Sequence, residues 1–195
     1  MEHYSLILET PEEIPSNKYA NKYPPHYGYK VSGVEPYSGT WDAETAKHLL
    51  RRCLFGFKQS DLDTATGLNL ADTVDALLTN HTPSALPVND YSARVTDPDC
   101  PEGEEWVTKP FSEDPQINNE RKKTIQSWWI GEMLDQPFSI QEKIVLFWHS
   151  FLVTELRGIP YASFGYDIIA LLKNHSLGNF KTLIRDFTLS EGMLL

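Results

Sequence analysis

Basic charge is scarce in these 195 residues: 17 Lys and Arg stand against 27 Asp and Glu, a formal net charge of −10. Such a chain repels phosphate backbones, which excludes general nucleic-acid binding. Long hydrophobic runs are also missing, and none approaches the roughly 20 residues of a membrane-spanning helix. The two cysteines, Cys53 and Cys100, match no metal or redox spacing. Cys53 falls in a helical pattern as a small buried thiol and Cys100 in an acidic loop, with a single disulfide as the alternative. No GxSxG, HExxH, P-loop or Rossmann glycine fingerprint occurs, so none of the familiar catalytic signatures applies. The opening residues Met1 to Glu9 carry no basic stretch and no useful apolar run, so no secretory leader is expected in the chain as given. A cytoplasmic location is the default expectation, with association with the cell envelope as the alternative.

What is present is core-forming material. Hydrophobic residues make up 41%, including 5 Trp, 9 Tyr and 9 Phe, enough for one globular domain. Residues 1–40, with Tyr23-Pro24-Pro25-His26-Tyr27-Gly28-Tyr29, lack periodicity and read as an extended aromatic, Pro-rich arm. Residues 41–195 read as a helical domain. Asp42 caps a first helix through Leu54, with Ala46, Leu49, Leu50 and Cys53 as its apolar stripe and Gly56 as its stop. Ser60 caps a short helix to Ala65. Asn69 caps another, with Ala71, Val74, Leu77 and Leu78 facing inward.

Residues 80–116 hold six prolines among acidic and small residues and read as a long loop that wraps the core through Tyr91, Trp106 and Phe111. A helix over Asn119–Asp135 carries Ile125, Trp128, Trp129, Ile130 and Met133 on its apolar face. Ser139-Ile140-Gln141-Glu142 has the form of a capping box. The helix that follows, Ile140 to about Leu156, is apolar on nearly all sides and is expected to be central. Pro160 opens another helix through Asn174, ended by Gly178, and Phe180, Leu183, Ile184 and Phe187 mark the next. Strand-like alternation is nowhere sustained, so the expected fold is all-α, a multi-helix orthogonal or bundle-like domain. Ser190 looks like a fresh N-cap for a single turn ending at Leu195. One turn is unstable alone, so a truncated chain with a frayed end and exposed apolar surface over residues 140–195 is expected.

Three residues are candidates for chemistry. His149 lies in the most apolar helix, where desolvation favours the neutral imidazole suited to a ligand or general base. A core histidine held by one or two hydrogen bonds is the preferred reading, because no partner ligand sits at helical spacing. His48 and Arg52 share a helix face at i,i+4, opposite the apolar stripe. They read as a solvated surface, or alternatively, with Arg51, as forks for a carboxylate or phosphate. Trp128 and Trp129 point about 100° apart and form no single stacking platform for a sugar.

Trp41, His48-Leu49-Leu50-Arg51-Arg52, Phe55-Gly56, Trp128-Trp129, Glu142-Lys143 into Leu146-Phe147-Trp148-His149 and Leu177-Gly178-Asn179-Phe180 occur in an order that resembles the DUF1800 family, a domain of unknown function, in its Bacteroidetes-like form. The resemblance covers roughly residues 37–195 and implies a large, mostly helical bacterial protein without an established activity. The family usually reads Phe-Trp-His-Asn-His-Phe where this chain has Phe147-Trp148-His149-Ser150-Phe151-Leu152. Of any metal or proton-transfer pair in relatives, only His149 is therefore kept. Relatives also continue past the Met193-Leu194-Leu195 segment into a further motif. The expected function is a helical binding or scaffold module, with no cofactor, whose partner is another protein or the absent C-terminal half of the same one. The alternative is a hydrolase-like or metal-dependent enzyme, its metal held by His149 and its site completed by that half.

Overall fold

Asp42 opens the first helix as a cap whose carboxylate accepts the backbone N–H groups of Glu44 and Thr45, at 3.1 and 3.0 Å, while the Thr45 hydroxyl accepts from the Asp42 N–H. The computed structural model describes residues 36–194, except 84, 154 and 157. Most of the arm expected over residues 1–40, its tyrosine cluster included, lies outside the described residues. The span Thr40–Leu195 forms one unit. Its helices are α1 (Ala43–Cys53), α2 (Gln59–Gly67), α3 (Leu70–Leu77), α4 (Pro115–Leu134), α5 (Gln141–Phe151), α6 (Ala162–His175), α7 (Phe180–Thr188) and the single turn α8 (Glu191–Leu194). No strand occurs among the described residues, only an isolated bridge between Val88 and Glu105. The fold is all-α.

Two apolar clusters organise these helices. The smaller gathers Ala46, Leu50, Cys53, Leu54, Leu62, Ala65 and Leu77 from α1–α3. The larger is built on α4, α6 and α7, with Val145 from α5 and with Tyr91, Cys100 and Trp106 from the long loop. Both thiols are free and buried, and burial pushes them above the ordinary cysteine value.

Several boundaries differ from the sequence reading. Lys58, not Ser60, precedes α2, because the Asp61 carboxylate accepts the Lys58 N–H at 2.7 Å. On α3 Leu77 is buried as expected, and Thr73 joins it, its hydroxyl donating to the carbonyls of Asn69 and Ala65, while Ala71 and Leu78 are exposed. α4 starts four residues early, at Pro115, with Asp114 accepting the Gln116 N–H. Proline suits that first position because its missing N–H has no partner there in any case.

The long loop wraps the core through polar bonds as well as aromatic ones. Tyr91 donates to Asp97 at 2.7 Å, and Arg121 of α4 pairs with the same carboxylate at 2.7 Å, all three buried. Trp106 donates to the Thr124 hydroxyl at 2.8 Å. Phe111 stays half exposed but stacks on Tyr161 at 4.8 Å.

Candidate functional site

α5 carries Glu142 and His149, and its first turn is fixed by side chains from distant segments. The capping box expected from Ser139 and Glu142 does not form. The Ser139 hydroxyl accepts the Gln141 N–H at 3.1 Å and donates to the Thr79 carbonyl at 2.6 Å. Glu142 turns inward, where Lys173 of α6 and the Trp129 indole N–H reach it at 2.6 and 3.1 Å. Lys173 also meets Glu132 at 3.1 Å. Gln141 accepts the His81 N–H and donates its amide to the Lys173 carbonyl. A buried ammonium is a stronger partner for Glu142 than its own helix cap, since charges removed from water must be paired.

One face of α5 looks into the domain. His149 is half-buried, its ring edge-on to Trp129 with centroids 5.0 Å apart. Burial holds the imidazole below its ordinary 6.5, so the ring is neutral at pH 7. No hydrogen bond reaches either ring nitrogen from the described residues. The ring lines a cavity of about 390 Å³ with Ile125 and Trp129 of α4, Leu156 and Ile159 of the α5–α6 connection, and Ile168 of α6. Gly165 permits this wall: a Cβ there would stand 2.3 Å from Leu156 Cδ1.

The opposite face departs from the expectation of an all-round buried helix. Only Gln141, Glu142 and Val145 of α5 are buried. Phe147 and Phe151, one turn apart, stack at 6.0 Å and remain 54% and 62% exposed. Trp148 stacks on the half-exposed Phe180 at 5.1 Å, and its indole nitrogen is buried without a hydrogen-bond partner. The helix stops at Phe151, and Val153 just beyond it is 75% exposed.

The other two candidates lie elsewhere. His48 and Arg52 are exposed on α1 and take no part in the His149 cavity. What joins α1 to α5 is Lys143, whose ammonium donates to the carbonyls of Arg51 and Arg52 at 3.1 and 3.0 Å. A cation is favourable at a helix C-terminus. Among the described residues, no three His, Cys, Asp or Glu side chains come together as a metal-holding group. The sequence reading did not connect Glu142 to Lys173 and Trp129, which bond it, or to Glu132, which pairs with the same lysine. A lysine directly after the apolar run Ile168-Ile169-Ala170-Leu171-Leu172 was the available signal.

A family model described as "Protein of unknown function (DUF1800)" matches residues 48–195. No curated protein and no solved structure matches the chain. No helix among the described residues is long and apolar enough to cross a membrane.

Proposed function

The chain belongs to the DUF1800 family, and from the surface left open on α5 we propose that it acts as a helical binding module for another protein surface. The carrying observation is the ladder of Phe147 and Phe151 continued by Trp148 and Phe180. Large aromatic side chains half or more exposed in one patch are costly in water and typify interface anchors. The complementary partner presents an aliphatic or aromatic helical surface, on a separate protein or on further residues of the same gene product.

A photo-crosslinking residue placed at Phe151, in the cells that make the protein, tests this reading. A discrete adduct is expected from Phe151 and not from Lys181, an exposed position outside the ladder. Equal labelling from both sites would sink the proposal.

A second reading, a hydrolase-like or metal-dependent enzyme, is favoured by one observation: an imidazole at a cavity wall whose charged form is disfavoured by burial. It requires turnover by the full-length protein that is lost in His149→Ala alone.

A further inference from the structure

The His149 cavity differs in chemistry from the aromatic ladder and is independent of the protein-binding reading. At about 390 Å³ it exceeds the lower bound of ordinary ligand pockets, roughly 300 Å³, and is many times the roughly 30 Å³ share of one water. Its walls are mostly apolar, with Ile125, Trp129, Ile159, Ile168 and Ile169 among them. The polar wall groups are His149, Gln126 and Glu155, and the last two are exposed.

We propose that this cavity binds a small neutral molecule with an apolar body and one hydroxyl or amide group, which hydrogen-bonds the His149 ring. The walls recognise the apolar body by burial. The imidazole, to which no hydrogen bond runs from the described residues, supplies one acceptor and one donor. Glu155 at the wall and the net charge of −10 disfavour an anion. No carboxylate in the wall is buried, so a cation would find no desolvated counter-charge.

Two probes separate the contributions: p-cresol, which has the hydroxyl, and toluene, which lacks it. The full chain, with isoleucine δ1 methyl groups labelled, is titrated by NMR. Saturable shifts at Ile125, Ile159, Ile168 and Ile169 are expected with p-cresol, and toluene should bind about five- to tenfold more weakly, the worth of one hydrogen bond. His149→Phe keeps a ring against Trp129 and should erase the difference between the probes. Leu156→Trp should fill the cavity and weaken both. No methyl shift with either probe overturns the site. A p-cresol preference that survives His149→Phe overturns the role of the imidazole. Unchanged shifts in a folded Leu156→Trp chain overturn the placement.

Discussion

The ammonium of Lys173 lies 2.6 Å from the carboxylate of Glu142, with both side chains more than nine-tenths buried. Two elements 31 residues apart in sequence are thereby joined inside the domain, and Glu132 supplies a second carboxylate to the same lysine. Removing the cation leaves two carboxylates facing each other in a poorly hydrated site. Breaking a buried pair from one side costs about 3–5 kcal/mol. Lys173→Met should lower stability by that order, read as a shift in the urea midpoint. Glu132→Gln, at the more exposed partner, should cost less. Equal, small losses in both would show that the network contributes little.

The Asp97 carboxylate gives a pH dependence with a definite sign. Burial opposes its ionisation, but the Tyr91 hydroxyl and the Arg121 guanidinium outweigh burial and hold it below its ordinary 3.8. A depressed carboxyl contributes stability above its unfolded value and loses it as pH falls through the folded one. The loss therefore falls below about pH 4. Asp97→Asn should be less stable at pH 7 and should show a flatter stability profile between pH 4 and 2. An unchanged slope would separate Asp97 from acid unfolding.

For His149 the window lies higher. Its folded value is below 6.5 because burial disfavours the imidazolium. Below pH 6.5 the unfolded chain takes up a proton that the folded chain resists, so stability declines as pH falls through the folded value. His149→Phe should remove this component, measured by denaturant unfolding at pH 7 and pH 5. NMR titration of the ring should give a midpoint under 6.5. A midpoint above it would mean that the ring is paired or solvated.

Gly165 is approached closely by the side chain of Leu156. Any Cβ at this position must displace the leucine, since the gap is 2.3 Å. Gly165→Ala should therefore destabilise by no more than about 1 kcal/mol, because the atom in the way is the movable end of a leucine side chain and alanine favours a helix by about 1 kcal/mol. Gly165→Ala combined with Leu156→Ala should recover part of the loss. An additive double variant would show that the two side chains do not compete.

Local signals carried most of the fold. Asp42 and Asn69 cap the helices that their positions suggest, because a cap needs only its own three following residues. The start of α4 was equally local, in Asp114-Pro115, but was hidden in a stretch read through its proline density. Glu142 shows where local reading ends. Its spacing from Ser139 fits a capping box, and nothing nearby announces Lys173. Burial along α5 was overestimated for a related reason. A continuous apolar run states that a helix avoids water, without saying whether its cover is its own domain or a partner. The Tyr91–Asp97–Arg121 contact had no sequence signal, being a loop-to-helix meeting of residues ordinary in isolation.

The carbonyl of Leu77 receives both the Ile140 N–H and the Ser139 hydroxyl, at 2.9 and 3.3 Å, at the junction between the two apolar clusters. Among the described residues, few further bonds join the α1–α3 segment to the rest, chiefly those of Lys143 with Arg51 and Arg52 and of Ser139 with Thr79 just beyond α3. Protection against amide exchange should accordingly come in two grades: α1–α3 should open as one block, and α4, α6 and α7 should exchange only on global unfolding. Leu77 and Ile140 then act as the latch of a sub-global opening, and Ser139→Ala should loosen the first block while leaving the second as slow as before.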